Sequence, residues 1–180
     1  MSAARHVLVV GGQRSGKSRF AENLVTGSGR RPVYVATATA GDDEMAARIA
    51  AHRDRRGTAW TTIEAPLDLS ATIGREARAD AAILVDCLTL WLANLMAAKR
   101  DIARETETLV AALSAADGPV VIVSSEVGAG VIPDNPLARA YADALGILNQ
   151  RVAGSVGRVV LMATGQPVLL KPSPTPEIAL

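Results

Sequence analysis

The chain has 180 residues, a length that suits one compact domain. It is 49% hydrophobic but only 3% aromatic, so its core has to be built from Val, Leu, Ile and Ala. A net charge of +1 lacks the strong basic excess that non-specific nucleic-acid or anionic-membrane binding needs, and the one cysteine, Cys87, excludes an intrachain disulfide framework.

In chain order, the run at 7–10 is short, apolar and mostly β-branched, the pattern of a strand buried on both faces of a parallel sheet. A helix is expected over 17–26, closed by "TGSGRRP", and a second strand over 32–37. "GDDEMAARIAAHRDRR" reads as a helix with Asp42 or Asp43 as its cap and Glu44 in its first turn. Further helices are expected at 67–79, 88–98, 102–115 and from about 136 to 153, with buried strands at 81–86, 119–124 and 158–163. Strands alternating with helices predict an α/β, three-layer fold with a mostly parallel sheet. A single catalytic domain is expected over 1–171. The tail at 172–180 has a proline at every second position from 172 to 176 and is expected to be extended or flexible. The apolar run before Gly11 is too short for a signal peptide, and no run approaches the roughly 18 residues of a membrane span, so a soluble cytoplasmic protein is expected.

The chemistry begins at "GGQRSGKS", Gly11 to Ser18, which fits GxxxxGK[ST] between a buried strand and a helix. Gly11, Gly12 and Gly16, with Gln13, Arg14 and Ser15, let the backbone curl so that its N–H groups face phosphate oxygens. The helix N-terminus adds positive dipole, Lys17 a point charge for the β/γ-phosphates, and Ser18 a hydroxyl for Mg²⁺. The loop therefore predicts a nucleoside triphosphate but names no base. Such a site also wants an acid near the magnesium at the end of a neighbouring strand. Asp86, closing "AILVD", and Glu126, after "VIVSS", both fit, and the sequence does not divide metal binding and base recognition between them. Asp86 could equally cap the helix that follows it.

Of the two histidines, His6 opens the first strand and is expected to have no chemistry. His52 lies with Glu44 and Arg48 on one polar stripe of its helix, among Arg53, Arg55 and Arg56. This pattern suits a solvated helix end, and it equally suits a neutral imidazole poised to attack phosphorus while arginines hold the phosphates.

"GGQRSGKS", "YVATA", "DDEMAARIAAHRDRR", Trp60 and Glu64, and the later "SSEVGAGVIPDNPLARAYADALGILNQRVA" together resemble one family over about residues 6 to 165. It is the bifunctional adenosylcobinamide kinase/adenosylcobinamide-phosphate guanylyltransferase family of cobalamin biosynthesis. The resemblance implies phosphorylation of adenosylcobinamide by ATP or GTP. It then implies transfer of GMP from GTP to that phosphate through a guanylyl-histidine, giving adenosyl-GDP-cobinamide and pyrophosphate. It places the GMP on His52 and the nucleotide at Gly11–Ser18, Ala36, Thr37, Ala38, Arg53, Asp54, Arg55, Arg56 and Glu64, with Asp86 reading the guanine. Family members often have Glu where Asp86 stands, and a second histidine where Ala51 stands. The resemblance also implies a corrinoid substrate and a homo-oligomer, such as the trimers of family members. The rival expectations are a P-loop kinase for another small molecule and a non-catalytic nucleotide switch.

Overall fold

The computed structural model describes residues 5–39, 57–127 and 132–173. Its strands are β1 (Val7–Gly11), β2 (Arg31–Ala36), β3 (Thr61–Glu64), β4 (Ala81–Asp86), β5 (Val120–Val123), β6 (Arg158–Ala163) and β7 (Gln166–Lys171). Its helices are α1 (Lys17–Thr26), α2 (Leu69–Glu76), α3 (Leu88–Ala97), α4 (Ile102–Ala115) and α5 (Pro136–Ser155). The strands form one sheet in the order β3-β2-β4-β5-β1-β6-β7, parallel throughout except for β7, which runs antiparallel to β6.

Strand alternation divides the core into two faces. Leu8, Val10, Ile83 and Val85 point to the face covered by α2, α3, α4 and α5, where Leu69, Trp91, Leu109 and Leu148 meet them. Val7, Val9, Ala82 and Leu84 point to the other face, against Ala21 and Val25 of α1. Strands apolar on both faces are what a sheet sandwiched between helices demands. Each fully buried Leu, Ile or Trp adds roughly 1.5–3 kcal/mol of transfer free energy.

All five expected strands and the five expected helices outside 43–56 are present, with ends shifted by at most three residues. The expected helix around His52 lies outside the described residues. Two strands were not expected, β3 and β7, and both are sheet edges. An edge strand needs no doubly apolar run: β3 offers the core only Ile63, and β7 is exposed over residues 166–170 and carries Pro167. Proline is tolerated in such a place because an edge strand has a free side. Lys171 closes β7 by donating from Nζ to the carbonyls of Ala153 (2.8 Å) and Gly154 (3.2 Å) at the end of α5.

His6 is fully buried. Its Nδ1 accepts from the N–H of Val120 at 3.1 Å, and the Leu113 carbonyl takes a second ring bond, so this side chain ties β1, β5 and α4 together.

Candidate active site

The sheet order fixes the edge before any side chain is considered. β1 to β6 are parallel, so their carboxyl ends share one edge, and the crossovers that leave β1 and β5 pass one another on opposite faces of the sheet. Ligands of open α/β sheets bind outside the carboxyl ends of the strands.

The loop Gly11–Ser18 leaves β1 at this point. Gly11 has φ +149°, and a Cβ there would lie 2.5 Å from the Met162 carbonyl oxygen and 2.9 Å from Ser15 Oγ. Gly16, at φ +93°, precedes α1 directly. The loop is braced from three sides: Ser15 N–H donates to the Gly12 carbonyl (3.3 Å), Gly165 N–H to the Ser15 carbonyl (3.2 Å), and Glu126 N–H to the Gly11 carbonyl (3.1 Å). The β6–β7 turn and the exit of β5 thus support the loop, while Gln13 and Arg14 are exposed at its tip and Ser18 is half-buried.

Lys17 is buried, and its ammonium donates to the Gly12 carbonyl at 2.7 Å. Desolvation pushes its pKa below the ordinary lysine value, opposed by charge at Cys87 and Asp86. A lysine held this way exchanges one carbonyl for a phosphate oxygen with little rearrangement. Ser15 Oγ is buried with no hydrogen-bond partner among the described residues.

Four more of the expected residues lie on the same edge. Register pairs Glu64 with Ala36 and Ala36 with Asp86, so both carboxylates emerge on the face that carries α1. Two strand spacings separate them, roughly 10 Å between backbones. Asp86 is half-buried and accepts from the Tyr34 hydroxyl at Oδ2 (3.1 Å). The residue at the N-cap of α3 is Cys87, with no side-chain cap. Burial pushes the Cys87 thiol up to about 11, which makes it a poor nucleophile.

Thr37 is fully buried, and its hydroxyl is used twice: it donates to the Cys87 carbonyl (2.7 Å) and accepts from the Cys87 N–H (2.8 Å). Asn94 donates to the carbonyls of Thr37 (2.7 Å) and Pro66 (3.0 Å), so α3 fastens the exits of β2 and β3. Neither Tyr34 nor Asn94 was singled out by sequence. Tyr34 opens the "YVATA" stretch, but neither residue's role shows in the sequence, because it depends on contacts with residues 52 and 57 positions away. Glu126 sits beside the loop through its backbone, and its side chain is exposed. His52, Arg53, Asp54, Arg55 and Arg56 lie outside the described residues.

Among the described residues, the Ser18 hydroxyl, at the start of α1, and the Asp86 carboxylate are oxygens that could hold a magnesium ion. These hard donors fit an ion that takes one or two protein oxygens and completes its shell with phosphates and water.

A parallel sheet with a phosphate loop after its first strand, a buried loop lysine, and an acid that acts on it electrostatically defines a P-loop nucleotide-binding fold. The flagellar accessory protein FlaH from Methanocaldococcus jannaschii shares this fold, with a TM-score of 0.50 at 12% identity over 94% of this chain and 79% of that one. The family model described as cobinamide kinase / cobinamide phosphate guanyltransferase matches residues 7–170, and the chain belongs to that family of bifunctional enzymes. It is 47% identical over 169 residues to the bifunctional adenosylcobalamin biosynthesis protein CobP of Pseudomonas aeruginosa, covering 93% of this chain and 98% of that protein. It is 39% identical over 180 residues to the bifunctional adenosylcobalamin biosynthesis protein CobU of Salmonella typhimurium, covering 92% and 99%. No helix among the described residues is long and apolar enough to cross a membrane.

Proposed function

We propose that this enzyme phosphorylates the side-chain hydroxyl of adenosylcobinamide and then transfers GMP from GTP to the new phosphate through a guanylated His52. The observation that carries the reading is the common edge: Gly11–Ser18, Asp86 and Glu64 all lie at the carboxyl ends of one sheet, in a chain of this family.

In the kinase step, the loop N–H groups and Lys17 hold the β- and γ-phosphates while the substrate hydroxyl attacks in line, and the loop takes up charge as the bridging oxygen leaves. Ser18 and Asp86 would hold Mg²⁺, which would supply positive charge against the charge that develops on the phosphates. In the transferase step, an imidazole nitrogen of His52 attacks the α-phosphorus of GTP. The N–P bond forms, the bond to the β-phosphate oxygen breaks, and pyrophosphate leaves. An oxygen of cobinamide phosphate then attacks the same phosphorus and returns the imidazole free. Two displacements let one nucleotide site serve two partners. Arg53, Arg55 and Arg56 follow His52 directly, where they would hold the departing phosphates. Asp86 stands two strands from β1 and Glu64 four, which favours the metal side of the nucleotide for Asp86 and leaves Glu64 nearer the nucleoside.

The test is intact-protein mass after incubation with GTP and Mg²⁺ and no acceptor. A gain of one GMP, acid-labile and absent in His52→Ala, is expected. An unchanged mass in the parent protein refutes the guanylyl-histidine, and an adduct that persists in His52→Ala moves it to another residue.

A further inference from the structure

Asp86 is held more completely than any other acidic group on the catalytic edge. Its carbonyl accepts from Thr37 N–H at 3.2 Å, and the next peptide is gripped on both sides by the Thr37 hydroxyl. Its side chain is fixed separately, by the Tyr34 hydroxyl on Oδ2. Tyr34 is itself buried in β2 two residues before Ala36, so it projects to the same face as Asp86. Trp60 meets its ring edge-on, with centroids 6.2 Å apart and planes at 87°. Such a T-shaped pair favours a single ring position.

A carboxylate rotates easily about its last torsion, and each of its oxygens has two acceptor sites. One bond from a rigid phenol therefore selects an orientation without consuming the group. Among the described residues no second group bonds the carboxylate, so Oδ2 keeps one site and Oδ1 keeps both for a ligand. The face they present is the face that carries α1, and β4, which ends in Asp86, lies two strands from β1, which leads into the phosphate loop.

We propose that Tyr34 is a positioning residue for the known reaction, orienting the Asp86 carboxylate toward the magnesium of the bound metal–nucleotide, with Trp60 holding the phenol in place. The proposal rests on the reading of Gly11–Ser18 as the nucleotide loop and of Asp86 as its metal-side acid. Tyr34 touches no reacting atom. Its effect is to remove in advance the rotational freedom that metal binding would otherwise have to freeze. Freezing a side chain of this kind changes affinity by about three- to tenfold.

The variant is Tyr34→Phe, which keeps the ring and its contact with Trp60. Binding of guanosine α,β-methylenetriphosphate, whose α–β bridge His52 cannot break, is measured by calorimetry across a Mg²⁺ series and in EDTA, with the inosine analogue in parallel. The Mg²⁺ concentration for half-maximal binding is expected to rise about three- to tenfold, with affinity in EDTA and the preference for guanosine unchanged. A Mg²⁺ dependence equal to the parent's overturns the proposal, whatever happens to thermal stability, because Tyr34 is then a packing residue only. Collapse of the guanosine-over-inosine preference at unchanged Mg²⁺ dependence also overturns it, since the phenol then serves base recognition. Asp86→Asn separates the two layers. If it shifts the Mg²⁺ dependence and Tyr34→Phe does not, the role of Tyr34 alone fails. If it does not shift it, the metal-side reading of Asp86 fails as well. A parent protein that binds no nucleotide would refute the loop reading beneath both.

Discussion

Gly11→Ala is the sharpest perturbation of the phosphate loop. At φ +149° an L side chain is strained by about 1–3 kcal/mol. The new methyl would also stand 2.5 Å from the Met162 carbonyl oxygen, across a paired position of β1 and β6. Ordinary contact needs nearly 1 Å more, and neither partner is a flexible side-chain end, because both belong to the backbone of adjoining strands. Overpacking of this kind adds about 1–3 kcal/mol. The sum, about 2–6 kcal/mol, lowers the melting temperature by roughly 10 °C in a chain of this size. Gly12→Ala is the control: a Cβ there meets nothing within 4 Å, so stability changes by less than about 0.5 kcal/mol. Differential scanning calorimetry of both variants without nucleotide, followed by GTP binding, makes the comparison. A Gly11→Ala protein that melts within 2 °C of the parent, as roughly 1 kcal/mol or less would give, refutes the steric argument.

Lys17→Ala is expected to lower both phosphorylation and GMP transfer by about two orders of magnitude or more, since both reactions use loop-bound phosphates; assays of each half-reaction check it, and an intact transferase refutes the shared site. His6 gives a pH dependence of stability: burial, against the bond to the Leu113 carbonyl and with the nearby Arg5 charge, holds its pKa below the usual 6.5, so the fold favours the neutral ring. Its contribution is full above about pH 6.5 and is lost as pH falls through the lower folded-state value. Urea unfolding from pH 7.5 down to 5 is expected to show falling stability, with that slope reduced when His6 is replaced by Gln.

What the sequence determined by itself was whatever is local. The β-branched run before Gly11, the spacing from Gly11 to Ser18, and the Asn135-Pro136 start of α5, where Asn135 Oδ1 accepts from the N–H groups of Leu137 and Ala138, each specify their own structure within a few residues. The alternation of strands with helices added the fold class, because parallel strands need crossovers. What only the tertiary structure decided was everything that joins separate segments. β3 and β7 are strands because β2 and β6 offer them an edge, and nothing in "TTIE" or "QPVLLK" demands it. The β6–β7 turn braces the phosphate loop through Gly165 and Ser15, which lie 150 positions apart. Thr37 reads as a residue beside the nucleotide, yet its hydroxyl is spent on Cys87, and Asp86 is oriented by Tyr34 rather than capping the following helix. Hydrogen bonds of this kind depend on strand order and register. These are set by the packing of two apolar faces across the whole sheet, and no window of sequence contains that information.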